Sequence, residues 1–383
     1  MTMTNDVEAA SQGVPAPVLS SIDLFAGAGG LTAGLAIALP GLRTVQAVEH
    51  DAAAAATFEA NHGAGVSYPG PVEEWLLAGS VPEVDLVLGG PPCQGFSQLN
   101  RRRRGDERNA LWESYAEVIA LARPRWFVME NVATFLKTRE CEQFRSWTEP
   151  GGILEDYSFE ARVMLAADFG APQLRRRTVV LGHRRDVSSL AWPRQTHLRD
   201  ERVSVREAWT GLSPGVATTQ LPQKFTLFHG RSFPGSFRTD ELHVTRDYQE
   251  ISKRRFRAIP AGGNRFDLPE NLKAPCWVNH RSGSGDVMGR LMYDRPSVTI
   301  RTEFFKPEKG RYLHPTEHRA ITHQEAARLQ GFPDDYRWVG SKTDIARQIG
   351  NAVPLALGEA LGKSIRQAAF GWARHEIDGA LFS

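Results

Sequence analysis

Ser21-Ile22-Asp23-Leu24-Phe25-Ala26-Gly27-Ala28-Gly29-Gly30 is the stretch on which the fold turns. Residues 21–25 read as a short buried strand, 26–30 as a glycine turn and 31–39 as an apolar helix. Strand, glycine turn and helix in that order make the first unit of a doubly wound sheet. The alternation continues outward. Residues 44–48 predict a second strand, ending at the acid Glu49, and 52–61 an alanine-rich helix. Residues 84–88 predict a strand broken by Gly89-Gly90-Pro91-Pro92, and 111–122 a helix. Residues 126–129 predict a strand running into Glu130-Asn131-Val132, and 178–182 a further strand. The expected fold is α/β, a doubly wound, mostly parallel sheet with helices on both faces. Residues 1–20 read as a loose tail. After about Asp186 the rhythm fails, and 191–320 read as an irregular region with short β-like pieces such as 296–300. Helical patterns return after Thr322 and again over 355–372. There are no internal repeats.

The chain of 383 residues is long enough for two or three domains. With 41% hydrophobic and 23% charged residues it is neither disordered, nor collagen-like, nor a pure coiled coil. The net charge of +2 gives no hint of a polyanionic partner by itself. It averages two unlike parts. Residues 191–320 carry 22 Lys and Arg against 14 Asp and Glu, a net of +8, and the remainder has a net of −6. Three cysteines, odd in number and widely spaced, predict no disulfide framework. No Cys or His spacing predicts a metal site. The first basic residue is Arg43, so no basic leader is expected, and no apolar run is long enough for a membrane span. A soluble protein of a reducing cytoplasm is expected.

Glycines between strand and helix let a ligand approach backbone at the helix's positive end. The pattern Asp-Leu-Phe-x-Gly-x-Gly-Gly differs from the dinucleotide fingerprint, and no phosphate-loop Lys follows it. Glu49 is placed to accept from ribose hydroxyls. A nucleoside without a pyrophosphate is therefore the expected ligand. Cys93 follows two prolines at the carboxyl end of a strand, where open α/β sheets place their ligands. The prolines fix the chain, and the nearby Arg101–Arg104 run favours a thiolate. Cys141 and Cys276 lack such framing and read as structural. The arginine run itself reads either as a solvated loop or as a flap that grips phosphates.

Six segments together resemble the cytosine-C5 DNA methyltransferases of the bacterial modification type. They are 23–30, then Gly90-Pro91-Pro92-Cys93-Gln94-Gly95-Phe96-Ser97, Glu130-Asn131-Val132 and Gln173-Leu174-Arg175-Arg176-Arg177, followed by 325–333 and Gln348-Ile349-Gly350-Asn351-Ala352-Val353-Pro354. Residues 258–264 are also similar to a segment of many bacterial members. The resemblance implies a fold like that of S-adenosylmethionine-dependent methyltransferases, and transfer of a methyl group from that cofactor to C5 of a flipped cytosine in duplex DNA. It implies Cys93 as the nucleophile adding to C6. Glu130 would hydrogen-bond or protonate N3, Arg177 would contact O2, Arg175 would stand beside the nucleophile, and Asn131 would orient its loop. Phe25, Ala26, Gly27, Gly29, Gly30, Leu31, Glu49, Pro92, Leu111, Asn351 and Val353 would line the cofactor pocket. Pro71 stands where many relatives have an adenine-binding aspartate, with Glu73 as a substitute.

The resemblance also divides the chain. Residues 21–190 with 321–383 would form the catalytic and cofactor domain, and 191–320 the target-recognition domain. Gln94, Ser97, Arg101, Arg102, Arg254, Arg255 and Arg257 are the expected DNA contacts, with 281–285 as a further candidate region. A cytoplasmic bacterial monomer is expected, with a cognate restriction endonuclease acting separately as a further partner. Methylation of tRNA is the second reading, though the chain has no Cys-Phe-Thr element. A catalytically silent DNA-binding regulator is the third, and an NAD-dependent oxidoreductase the fourth.

Overall fold

The computed structural model describes residues 18–92, 107–278 and 282–381. The described residues form twelve strands: β1 (Leu19–Leu24), β2 (Leu42–Val48), β3 (Ser67–Tyr68), β4 (Leu86–Gly89), β5 (Trp126–Val132), β6 (Tyr157–Leu165), β7 (Gln173–Leu174), β8 (Arg176–Arg184), β9 (Phe225–Phe228), β10 (Arg231–Arg238), β11 (Ser297–Val298) and β12 (Arg337–Val339). The helices are α1 (Gly30–Ala38), α2 (Ala52–His62), α3 (Val72–Ala78), α4 (Glu107–Ala122), α5 (Arg139–Ser146), α6 (Val205–Ala208), α7 (Glu250–Ala258), α8 (Pro275–Val278), α9 (His323–Gln330), α10 (Lys342–Asn351) and α11 (Leu355–Leu381).

The main sheet has the order β3-β2-β1-β4-β5-β8-β6. Pairings from β3 to β5 are parallel, and β8 runs antiparallel to both its neighbours. The order reverses at β1 and β4. Chain leaving β1 goes one way and chain leaving β4 the other, which opens a crevice at their carboxyl ends. The glycine turn and the double-proline loop leave the sheet at that point. The sequence reading found β1, β2, β4, β5 and β8 to within a few residues. It missed β6, where Ser158, Glu160 and Arg162 interrupt the apolar pattern on the edge of the sheet.

Apolar side chains alternate between the two faces of the sheet. Leu19, Leu86, Leu88, Val128, Val179 and Leu181 pack beneath α1 and α11. Ile22, Leu24, Val87, Phe127 and Met129 pack on the other face with Trp112, Tyr115 and Ile119 of α4. α1 and α11 approach closely because both carry glycine at the crossing. A Cβ at Gly34 would lie 2.6 Å from the Leu355 carbonyl oxygen and 2.8 Å from Gly358 Cα. α2 starts at Asp51, whose carboxylate accepts from Ala53 N and Ala54 N at 3.0 and 3.1 Å.

A three-stranded sheet, β12-β10-β9, covers α2 through Phe228, Val339, Ala55 and Ala56. A third core joins Val205, Trp209, Phe237 and Ile300 with Ala326, Leu329, Ile345 and Ile349, across position 320. A fourth, smaller core lies within the basic segment and contains Phe256, Ile259, Leu268, Leu272, Met288 and Leu313. Among the described residues no helix is long and apolar enough to cross a membrane.

Candidate active site

Two loops meet at the crevice. The first is the glycine turn after β1. Phe25, Gly27 and Gly29 take φ of 55°, 55° and 84°, in the left-handed region. Ala26 N donates to Val48 O at 3.2 Å, which ties the turn to the end of β2. Glu49 follows β2 directly. Its carboxylate accepts from Gly27 N at 2.8 Å and from Asp51 N at 2.7 Å. Burial pushes its pKa up, and these two backbone N–H groups oppose that shift. Asp23, 2% exposed, accepts from Thr32 Oγ1 at 2.6 Å. Burial pushes its carboxyl up to about 7, against the Thr32 hydrogen bond and with help from Glu49.

Beneath the turn lies a group that the sequence reading did not single out. His62 at the end of α2 packs on Phe58, and its Nε2 lies 3.3 Å from the Tyr336 hydroxyl. Tyr336 donates in turn to Ala28 O. Burial lowers the His62 pKa to about 4, so the ring is neutral near pH 7. A Cβ on Gly29 would overlap that ring. Gly30 approaches the other flank, where a Cβ would lie 3.0 Å from Val353 O and 3.1 Å from Ala352 Cβ.

The second loop follows β4. Asn131, 3% exposed at the end of β5, donates through Nδ2 to Pro91 O at 2.9 Å. Its Oδ1 accepts from Val132 N at 2.7 Å. Glu130 Oε2 lies 3.4 Å from where a Gly90 Cβ would stand. Glu130 Oε1 is 2.5 Å from Arg177 Nε, with both side chains largely enclosed. Arg177 reaches it because β8 pairs antiparallel with β5, Arg177 facing Val132 in the register. The structure thus gathers Glu130, Asn131, Arg177 and Pro91-Pro92 at one end of the sheet, although 47 residues of chain separate Glu130 from Arg177.

Arg175 is 2% exposed, and its terminal nitrogens bond to backbone rather than to this pair. Its Nη1 donates to Ile300 O at 2.9 Å and Gly350 O at 3.0 Å, and its Nη2 to Asn351 O at 3.4 Å. Gln173 is fully buried and bridges Ile300 N, Leu329 O and Gln330 Oε1. Gln330 Nε2 donates to Ile349 O at 2.5 Å. Both glutamines belong to segments quoted from the sequence, but composition gives no sign of which polar residues become buried struts.

Other expected cofactor residues take different positions. Leu31 packs into the core beside Leu35, and Val353 is buried with Leu357 and Leu361. Leu111 and Pro92 are half-buried, whereas the Asn351 side chain is exposed. Pro71 precedes α3 at its N-cap, with Glu73 half-buried in the first turn. Cys93, Gln94, Ser97, Arg101, Arg102 and Arg281 lie outside the described residues. On α7, Arg255 donates to Leu272 O and lies over Trp277, while Arg257 pairs with Glu250. Arg254 is exposed, with no ion pair among the described residues.

The family described as C-5 cytosine-specific DNA methylase matches residues 19–367. The chain is 33% identical over 357 residues to the Type II methyltransferase M1.HphI of Haemophilus parahaemolyticus, covering 91% of this chain and 86% of that one. It is 30% identical over 366 residues to the Type II methylase M.HgiDII of Herpetosiphon aurantiacus, covering 90% and 94%. In fold it is similar to a prophage-encoded DNA modification methyltransferase of E. coli, with a TM-score of 0.66 at 24% identity, covering 91% and 99%.

Proposed function

The chain belongs to the C-5 cytosine-specific DNA methylase family, and from that premise we propose that it methylates C5 of a flipped cytosine in a specific duplex sequence. The Glu130–Arg177 ion pair beside the Asn131-held proline loop is the observation that carries this reading. It sets an acid and a cation together at the mouth of the loop that leads directly to Cys93.

The residues present fit S-adenosylmethionine. Gly27 and Gly29 give close backbone approach, and the Glu49 carboxylate is held in place by two N–H groups at the switch point. Bound there, the cofactor supplies an electrophilic methyl group carried on a sulfonium. Phe25 and Leu111 would pack on its adenine and Glu49 would accept from its ribose, with Asn351 and Val353 closing the far side.

Cytosine C5 is a weak nucleophile. The Cys93 thiolate adds to C6, and the ring's electron pair moves so that C5 becomes enamine-like. Glu130 donates toward N3, and Arg177 faces the charge that develops at O2. Asn131 holds the nucleophile's loop through Pro91 O. Once C5 carries the methyl group, loss of its proton and departure of Cys93 from C6 restore the aromatic ring. The target base must leave the duplex to reach these groups. We assign reading of the flanking sequence to 191–320, with Arg254 of α7 as a phosphate contact. Protection of host DNA beside a cognate nuclease fits the Type II relatives.

Incubation with duplex DNA containing 5-fluorocytosine and S-adenosylmethionine tests the reading. A covalent protein–DNA adduct is expected for the natural chain and none for Cys93→Ser. Methyl transfer to tRNA but not to duplex DNA would overturn the substrate, and an adduct that survives Cys93→Ser would overturn the nucleophile.

A further inference from the structure

Arg175 stands two residues before Arg177, yet both its terminal nitrogens donate to main-chain carbonyls 125 and more residues away in the chain. Two of these carbonyls, at Gly350 and Asn351, are in the last turn of α10. The last carbonyls of a helix lack intrahelical partners and form its negative end, so a cation there is favourable. Gln330 takes the neighbouring Ile349 O and, at 3.4 Å, Ala352 O. Ala352 and Val353 then press directly on Gly30 of the glycine turn. The third carbonyl, Ile300 O, belongs to a loop that packs so tightly on α10 that a Cβ at Gly350 would overlap the backbone of Arg301 and Thr302. Arg175 therefore sits where three stretches of chain meet, and two residues later the same backbone delivers Arg177 to Glu130.

We infer that Arg175 is a positioning residue that fixes the 350–353 segment against the glycine turn, so that it governs cofactor affinity without touching the base. The inference rests on the site proposed above. It differs from a role beside the nucleophile in one measurable respect. A group that acts on the base or on Cys93 leaves cofactor binding in the absence of DNA untouched. A clamp on the cofactor-side loop does not.

The experiment is calorimetric titration of the full-length protein with S-adenosylmethionine and with S-adenosylhomocysteine, without DNA. Arg175→Lys keeps the charge, but its single nitrogen cannot span carbonyls that two separate guanidinium nitrogens now reach, and at least fivefold weaker binding is expected. Arg175→Met fills the buried volume without the charge, and serves if the lysine variant folds poorly. The same weakening is expected. Arg177→Lys is the comparison. It should bind both ligands within twofold of the natural chain and lose methyl transfer to duplex DNA. Natural affinity in both Arg175 variants would overturn the clamp, as would equal weakening in Arg177→Lys. Undiminished transfer by Arg177→Lys would instead overturn the proposed active site.

Discussion

His62 occupies the space that a side chain on Gly29 would need. Gly29 also has a positive φ of 84° and stands immediately before α1 as its N-cap. Both facts exclude a Cβ, one by sterics and one by backbone strain. Gly29→Ala is therefore expected to lower stability by roughly 1–3 kcal/mol and to weaken S-adenosylmethionine binding at least tenfold. Thermal unfolding and calorimetric titration of the variant measure the two effects. Binding at natural strength would show that the turn is not the cofactor loop. At this scale the sequence was informative about chemistry but not about allegiance. Glu130, Arg175 and Arg177 are all legible as polar residues of known motifs. Only the fold reveals that Arg177 forms an ion pair with Glu130 while Arg175 hydrogen-bonds to backbone from another part of the chain. His62 and Tyr336 gave no signal, because their hydrogen bond joins positions 274 residues apart.

α7 carries four basic residues in five positions, Lys253-Arg254-Arg255-Phe256-Arg257. From sequence all its arginines were equal candidates for DNA contact. The helix sorts them by face. Phe256 is 2% exposed and anchors the element in the small core of the basic segment. Arg255 lies over Trp277, and Arg257 is engaged by Glu250 seven residues earlier. Arg290, 3% exposed, holds the helix end by donating to Phe256 O and, at 2.9 Å, to Ile259 O. Arg254 is left facing solvent. Arg254→Ala is expected to weaken DNA binding and to reduce the slope of log affinity against log salt by about one. Arg257→Ala should change that slope by much less. Fluorescence anisotropy on a duplex over a range of salt concentrations checks both. Equal slopes for the two variants would argue against a phosphate contact at Arg254.

Across the whole molecule, buried titratable groups set the response to acid. Burial holds His62, His314 and His323 down at about 4 each. Between the unfolded value of about 6.5 and about 4, the unfolded chain binds protons that the folded chain does not. Their contribution is intact above that window and is lost as pH falls through it. Asp23 acts the other way. Its carboxyl, raised to about 7, favours the fold at low pH and loses that contribution as pH rises from about 4 to about 7. Glu49, also pushed up by burial, acts in the same direction as Asp23, but three histidines outweigh two carboxyls, so the unfolding temperature should fall as pH is lowered from about 7 to about 4. A calorimetric scan across that range checks the sign, and a flat or rising unfolding temperature would contradict it. The sequence by itself determined the α/β class, the family motifs and the basic middle segment, because these depend on local periodicity, turn chemistry and charge. It also put the glycine turn and the proline loop at strand ends. The tertiary structure alone decided which polar residues meet at the crevice and which tie distant stretches of backbone together. That choice depends on antiparallel β8 crossing beside β5, and on α10 returning to the glycine turn. Contacts between residues so far apart in the chain leave no mark in any local pattern.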